Sequence, residues 1–288
     1  MKISFLFLLL VAIGFQSTGQ TFEGSSNPVK VTVKAREGAN SDIQKGYKVK
    51  PNGKFFALLI GVSEYDHSEL NLAKPVKDAE NLAMILSGNY TFEENNIKIL
   101  RSPTRSEILQ ELFAYRKLIG LNDNLLIFYA GHGYKDEASE QGYWWPRDSR
   151  PDNPANWLSN SDLVEQIRAI KSGHTLLISD ACFSGGIFKT RDVTGLKDAA
   201  IEIQKLYSLP SRQAITSGTG KEKVKDESAF IKYLITRLTE NTESNLPLEK
   251  LFGSLKEAVI ANSLNVPQIG VLQDTGHEGG DFIFIRKN

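Results

Sequence analysis

Two residues of the sequence have side chains that could perform nucleophilic catalysis together. The only cysteine, Cys182, comes shortly after the apolar run 175–179. His132 lies between two glycines, directly after the apolar run 125–130, and precedes the cysteine by 50 residues. A thiol becomes a strong nucleophile when it loses its proton, and a nearby imidazole can accept that proton or stabilise the thiolate. The spacing therefore predicts a catalytic pair, provided that both runs belong to one sheet.

Two backbone amides near this pair are candidates for stabilising a developing oxyanion. The glycines that flank His132 let a substrate backbone approach closely, and the N–H of Gly133 is one such donor. The N–H of Cys182 itself is the second. The alternatives are a buried, inert thiol and a polar surface histidine, each of which is common for such a residue on its own. The placement of both residues after strands favours the catalytic interpretation.

The elements that must position these residues alternate between apolar strands and amphipathic helices. Strands are predicted over residues 55–62, 97–100, 125–130, 175–179, 213–217 and 281–285. Helices are predicted over residues 76–86, 104–119, 159–170, 230–240 and 247–262. Thr104 with Glu107 predicts a capping box at the start of the second helix, and Ser159 with Asp162 predicts the cap of the third. This alternation predicts an α/β protein with a mostly parallel six-stranded sheet and helices on both faces, a three-layer sandwich. In such sheets chemistry collects beyond the carboxyl ends of the strands, where His132 and Cys182 stand.

Composition restricts the class of protein and its partners. The 288 residues are 41% hydrophobic and 24% charged, which is ordinary for a chain that forms a core. The 34 basic and 34 acidic side chains cancel, so no overall basic field indicates a nucleic-acid partner. A single cysteine excludes an internal disulfide and a cysteine-based zinc site.

The N-terminus predicts export. Lys2, the apolar run 3–15 and the small residues at 17–19 are typical of a secretory signal peptide that is cleaved after Gly19. A retained membrane anchor is the alternative, although the run is short for a span. We therefore expect a signal peptide over residues 1–19, a polar N-terminal segment or linker over residues 20–53, and one domain over residues 54–288. The mature protein is expected in the periplasm or outside the cell, without membrane association.

The residues around the predicted pair resemble those of the caspase and metacaspase cysteine peptidases. The resemblance is carried by residues 129–133 (YAGHG) and 179–185 (SDACFSG). The caspase signature also places its histidine about 50 residues before its cysteine. Weaker resemblances lie at residues 56–65, 72–79 and 279–284, the last to the closing strand of bacterial members. The similarity covers about residues 55–286 and implies a caspase-like fold for this domain.

The resemblance also implies an activity and a specificity. In such an endopeptidase, Cys182 attacks the carbonyl of a protein or peptide substrate and His132 protonates the leaving amine, with neither metal nor organic cofactor. Asp180 and Asp78 match the acidic pocket residues of metacaspases, and two carboxylates favour Arg or Lys on the acyl side of the cleaved bond. The alternatives are a structural hydrogen bond for Asp180 and a solvated first-turn helix carboxylate for Asp78.

Some residues depart from the metacaspase pattern or leave alternatives open. Ala130 stands where serine is frequent, and Phe183 stands where His or Arg is frequent. Lys189 stands where an acidic residue would help to bind calcium, so the oxygen cage of a calcium site is not evident. Trp144 and Trp145 are either core residues or a wall of the substrate cleft. The competing hypothesis is a catalytically silent caspase-fold module for binding or regulation, and the oligomeric state stays open.

Overall fold

The computed structural model describes residues 49–181, 187–190, 200–218 and 228–287. The strands of this part of the chain are β1 (Phe55–Gly61), β2 (Phe92–Arg101), β3 (Asn124–Ala130), β4 (Gly133–Lys135), β5 (Gly142–Trp144), β6 (Leu158–Ser159), β7 (His174–Asp180), β8 (Phe188–Thr190), β9 (Ser211–Thr216), β10 (Asn245–Pro247), β11 (Gln268–Leu272) and β12 (Ile283–Ile285). The helices are α1 (Pro75–Asn89), α2 (Arg105–Leu118), α3 (Asn160–Ala169), α4 (Ala200–Ser208), α5 (Ala229–Glu240) and α6 (Leu248–Asn262).

Some sequence-based predictions concern residues outside these ranges. The predicted signal peptide over residues 1–19, most of the predicted polar segment over residues 20–53, and Cys182 with Phe183 lie outside the described residues. Within the described residues, no helix combines the length and the apolar character that crossing a bilayer requires.

The central sheet has the strand order β2-β1-β3-β7-β9-β11-β8. Its first five strands run parallel to one another. β11 pairs antiparallel with β9, and the three-residue strand β8 extends the edge antiparallel to β11. Every residue of β1, β3 and β7 is buried, as expected for strands that are covered on both faces. The predicted α/β fold with a mostly parallel sheet is confirmed.

Helices on the two faces of this sheet enclose two apolar cores. Leu59 and Ile178 belong to the core beneath α1, α5 and α6, whereas their neighbours Leu58 and Leu177 belong to the core beneath α2 and α3. Successive residues of a strand point to opposite faces, so this alternation extends to the strand ends. Asp180 is therefore oriented like Ile178, and its side chain points to the face that α1 and α5 cover.

Two of the predicted helices begin at the capping residues that the sequence indicates. Thr104 accepts the N–H of Glu107 at 3.2 Å, and the Glu107 carboxylate accepts the N–H of Thr104 at 2.7 Å. This reciprocal capping box satisfies two amides that the first turn of α2 would otherwise leave unpaired. Ser159 caps α3 by accepting the N–H of Asp162 at 3.0 Å. Both predicted starts are confirmed.

One strand prediction was too short, and one was wrong. β2 extends from Phe92 to Arg101 rather than over residues 97–100 alone, because its first half is a polar edge strand without an apolar pattern. The run 281–285 does not supply the sixth main strand of the central sheet. Its β12 pairs antiparallel with β10 in a separate two-stranded sheet, and β11 takes the sixth place. The run is apolar because Phe282 and its neighbours fill the core under α5 and α6, and burial alone does not indicate a pairing partner.

Candidate active site

The carboxyl ends of three neighbouring strands lie side by side at one edge of the central sheet. Gly61 of β1 is in register with Ala130 of β3, and Ala130 is in register with Asp180 of β7. His132 follows Ala130 by two residues, and in the sequence Cys182 follows Asp180 by two residues. Adjacent strands of a sheet are about 4.8 Å apart. The strands that lead to the predicted catalytic pair are therefore adjacent and end together.

Two tyrosine hydroxyls hold the main chain of His132. The His132 N–H donates to the hydroxyl of Tyr65 at 2.9 Å. The hydroxyl of Tyr129 donates to the carbonyl oxygen of His132 at 2.6 Å, and the N–H of Trp145 donates to the same oxygen at 3.0 Å. Tyr65 and Tyr129 are both buried, so these bonds are protected from competition with water. The loop that carries the histidine is thus fixed from both sides.

The imidazole ring of His132 is oriented by a main-chain carbonyl. Its Nε2 lies 2.9 Å from the carbonyl oxygen of Leu70, the last residue of the short 3-10 turn Ser68–Leu70. A carbonyl oxygen can only accept, so we assign the proton of the neutral ring to Nε2. Nδ1 is then the ring nitrogen that can take up a proton. The Tyr65 ring packs beside the imidazole with 5.3 Å between centroids.

The two glycines that flank His132 have different structural roles. Gly131 has φ 156°, and a Cβ at this position would lie 2.8 Å from the hydroxyl of Tyr129. Any side chain at Gly131 would therefore displace one of the groups that hold His132. Gly133 begins β4 and is paired with Trp144. The preceding pair, His132 and Trp145, is joined by the bond from the Trp145 N–H to the His132 carbonyl oxygen. Gly133 and Trp144 therefore form a non-hydrogen-bonded pair of the ladder, in which the Gly133 amide points away from the partner strand.

A first prediction concerns the hydroxyl of Tyr65. We expect Tyr65→Phe to lower kcat about tenfold and to leave KM nearly unchanged, because the loss of one buried hydrogen bond costs about 1–3 kcal/mol and releases the His132 main chain. The measurement is steady-state kinetics on a peptide substrate. Tyr115→Phe is the matched control, since Tyr115 is a buried tyrosine on α2 whose hydroxyl donates to Ala57 at 3.4 Å. An equal loss in both variants would contradict a positioning role for Tyr65.

The structure brings the two predicted acidic residues into one electrostatic environment. Asp180 is buried and accepts a hydrogen bond from the Ser228 hydroxyl at 3.0 Å, at the N-terminus of α5. Burial raises the pKa of Asp180 to about 6, and the charge of Asp78 adds to the rise while the bond from Ser228 opposes it. Asp78 is half-buried in the first turn of α1. A close approach of α1 to β1 places it there, since a Cβ on Gly61 would lie 2.4 Å from the Pro75 carbonyl oxygen.

Sequence reasoning missed the residues that position the histidine. Tyr65 and Tyr129 both lie in segments that resemble the family, yet nothing in their residue type indicates that their hydroxyls bond to the main chain of His132. The role of the Leu70 carbonyl cannot be predicted from the sequence, because every residue has a main-chain carbonyl. Among the described residues, no group of three or more His, Cys, Asp or Glu side chains is placed to hold a metal ion.

The fold and the strand-end site define the class of protein, and comparison with known proteins names its family. The model of the caspase domain family matches residues 54–275. The chain belongs to this family of cysteine peptidases. The match covers the sheet, the histidine and the cysteine of the predicted pair.

Curated relatives and solved structures agree with this assignment. Metacaspase-1 of Eremothecium gossypii is 28% identical over 144 residues, 45% of this chain and 31% of that protein. Metacaspase-1 of Candida albicans is 24% identical over 200 residues, 59% of this chain and 44% of that protein. The chain thus matches less than half of the length of either metacaspase.

Two solved structures show the likeness of fold. The crystal structure of caspase-1 from Spodoptera frugiperda has a TM-score of 0.56 at 14% identity, over 78% of this chain and 89% of that one. A protein from Geobacter sulfurreducens has a TM-score of 0.54 at 16% identity, over 80% of this chain and 100% of that one. The caspase-like fold predicted from the sequence is thereby confirmed.

Proposed function

We propose that this protein is a cysteine endopeptidase that cleaves peptide bonds after Arg or Lys, with Cys182 as nucleophile and His132 as general base and acid. The register of β3 and β7 carries the proposal, because Ala130 and Asp180 are paired and the two functional residues follow them at equal distances in the sequence. Family membership adds the reaction class.

The proposed reaction uses the tautomer of His132 that the Leu70 carbonyl favours. Nδ1 accepts the proton of the Cys182 thiol, and the thiolate attacks the carbonyl carbon of the substrate. Collapse of the tetrahedral intermediate breaks the C–N bond, and the imidazolium gives its proton to the leaving amine. Water, deprotonated by the same imidazole, then hydrolyses the thioester and regenerates the thiol.

Two backbone amides are proposed to stabilise the oxyanion of this intermediate, those of Gly133 and Cys182. The direction of the Gly133 amide supports its part, since this residue occupies a non-hydrogen-bonded pair of the β4–β5 ladder. Fixed donors aimed at a developing charge contribute strongly to catalysis, and the loss of one costs about a hundredfold or more in kcat. The Gly133 amide acts together with the histidine, because the two residues are adjacent in the chain.

The specificity for basic side chains is proposed to come from Asp180 and Asp78. Both address the sheet face that α1 and α5 cover, and the like charge of Asp78 is sensed at Asp180. A cationic side chain between them would relieve this repulsion and pair with the buried carboxylate. An acidic side chain would add a third negative charge, so cleavage after Asp is disfavoured.

A second prediction follows from the pKa of Asp180. This carboxyl has a pKa of about 6 in the free protein, so it is mostly ionised at pH 7 and mostly neutral at pH 5. The preference for arginine over its neutral isostere citrulline, measured as a ratio of kcat/KM values, should therefore fall about tenfold between pH 7 and pH 5. The ratio cancels the titration of the cysteine and the histidine. A ratio that stays constant over this range would rule out ionised Asp180 as the source of the preference.

The experiment that tests the proposed function is a panel of fluorogenic peptides with Arg, Lys or Asp before the reporter group. Wild-type protein should release the reporter from the Arg and Lys peptides, and Cys182→Ala should release none. Parallel reactions with calcium and with a chelator show whether the ion is required. Absence of turnover in every wild-type reaction would favour a silent module, and cleavage after Asp alone would overturn the acidic pocket.

We also propose that the mature protein is exported. Lys2 and the apolar run 3–15 support this, together with the small residues before position 20. N-terminal sequencing of the protein recovered outside the cytoplasm should give a chain that begins at Gln20. Recovery of the intact N-terminus in the membrane fraction would instead indicate a retained anchor.

A further inference from the structure

We propose that Tyr134, Trp145 and Trp157 form an aromatic wall that binds a large apolar side chain of the substrate on the leaving-group side of the scissile bond. The inference rests on the proposed peptidase function and assigns a second specificity site to it. Tyr134 belongs to β4, Trp145 directly follows β5, and Trp157 lies between the turn Pro154–Asn156 and β6.

The aromatic wall begins directly beside His132. The ring of Trp145 lies 6.1 Å from the imidazole, centroid to centroid. Trp157 lies 5.2 Å from Trp145, and Tyr134 lies 4.9 Å from Trp157. The rings of Tyr134 and Trp145 are nearly parallel, at an angle of 21°. The three rings thus form one continuous surface that extends away from the histidine.

Exposure separates the aromatic wall from the core. Trp144 is completely buried and stacks on Tyr129 with 4.2 Å between centroids, so it is a core residue. Trp145 and Trp157 are only partly buried, and Tyr134 has an exposed fraction of 41%. A group of aromatic side chains held at the surface is the informative exception in a folded domain. Of the two interpretations that the sequence left open, Trp144 takes the core and Trp145 the cleft wall.

The two faces of the sheet decide which side of the substrate meets the aromatic wall. Asp180 and Asp78 address the face that α1 and α5 cover. Trp145 packs against the core on the opposite face, under α2 and α3. Since His132 gives its proton to the leaving amine, the residue that carries this amine lies on the side of the histidine. The acyl-side cation and the aromatic wall are thus on opposite sides of the scissile bond.

The chemistry of the aromatic wall selects apolar and, above all, aromatic side chains. Aromatic faces attract other rings in stacked or edge-to-face geometry and exclude water from aliphatic groups. A carboxylate placed against these ring faces would lose part of its hydration. We expect the first residue after the cleaved bond to be selected in the order Phe and Leu before Gly, with Glu least favoured. A hydrophobic pocket of this kind discriminates by about tenfold between a large side chain and none.

The first arm of the test compares internally quenched peptides that share Arg on the acyl side and differ in the next residue, Phe or Gly. Wild-type kcat/KM should favour Phe about tenfold, and Tyr134→Ala should reduce the ratio to about threefold. Phe113→Ala is the matched control, because Phe113 is an exposed aromatic residue on α2 outside the site, and it should keep the wild-type ratio. Equal cleavage of both peptides by the wild type would overturn the aromatic wall and leave the peptidase function standing.

The second arm measures binding without turnover. All three tryptophans of the chain lie at positions 144, 145 and 157, so tryptophan fluorescence, excited at a wavelength that tyrosine does not absorb, reports on this region alone. Titration of Cys182→Ala with the unlabelled Phe and Gly peptides, free of Trp and Tyr, should show a larger fluorescence change and tighter binding for the Phe peptide. That result supports the aromatic wall even if no peptide is cleaved, in which case only the proposed function fails. Indistinguishable titrations would overturn the wall.

Discussion

Replacement of Cys182 by alanine is expected to lower kcat/KM for an arginyl peptide at least about a thousandfold, and His132→Ala should lower it to a similar extent. The thiol supplies the attacking pair of electrons, and the imidazole supplies both proton transfers, so neither residue performs its step alone. The double variant should be no less active than either single variant, because residues that act as one unit are strongly non-additive. Initial rates with a fluorogenic substrate measure all three effects.

The control for this prediction is a histidine outside the site. His277 accepts the N–H of Arg212 through Nδ1 at 3.1 Å, and His277→Asn retains an acceptor there. It should keep wild-type activity, and thermal unfolding should confirm that every variant is folded. Substantial residual activity in Cys182→Ala would show that another nucleophile performs the reaction. Additive losses in the double variant would show that the two residues act in separate steps.

Asp180→Asn is expected to produce the second large effect, a loss of about a hundredfold in kcat/KM for arginyl peptides. The substitution keeps the shape of the side chain but removes the buried charge that would pair with the guanidinium. Cleavage of the matched citrulline peptide should change little, because that substrate carries no charge. Asp78→Asn should have the same sign and a smaller size, since Asp78 is only half-buried.

Asp152→Asn is the matched control for the loss of a carboxylate. Asp152 is exposed and pairs with Arg150 at 3.3 Å. Exposed pairs of this kind contribute little, so its kinetics should equal those of the wild type. If Asp180→Asn lowered the activity on arginine and citrulline peptides equally, Asp180 would serve the loop structure through Ser228 rather than the specificity.

The sequence was informative wherever a residue pattern follows from burial or from local hydrogen bonding. The runs that form β1, β3 and β7 are apolar because both faces of these strands are covered. Thr104 and Glu107 predict the start of α2 because a capping box depends only on residues close in the sequence. The glycines around His132 and the acid before Cys182 indicated the strand-end site. The partners of strands were less accessible, as β12 shows, because an apolar run records burial and not the neighbour that provides it.

The parts of the site that the sequence did not predict depend on tertiary contacts. Tyr65 reaches His132 across 67 positions of the chain, and Leu70 contributes a carbonyl that any residue would supply. The raised pKa of Asp180 also needs the fold, because it arises from burial and from the approach of Asp78. Trp144 is buried as the last residue of β5, whereas Trp145 follows the strand and is only partly buried, and the sequence pattern did not reveal this difference.

Covalent labelling with a peptidyl acyloxymethyl ketone that carries Arg at the acyl position, read by mass spectrometry, tests the proposed nucleophile and specificity most directly. We expect one thioether adduct on Cys182 that forms far faster than with a probe carrying Asp, and that is abolished in His132→Ala. This measurement tests three things together: the identity of the nucleophile, the need for His132 and the preference for Arg over Asp. Labelling at the rate of a free thiol, unaffected by the His132 substitution or faster with the Asp probe, would contradict the proposed function.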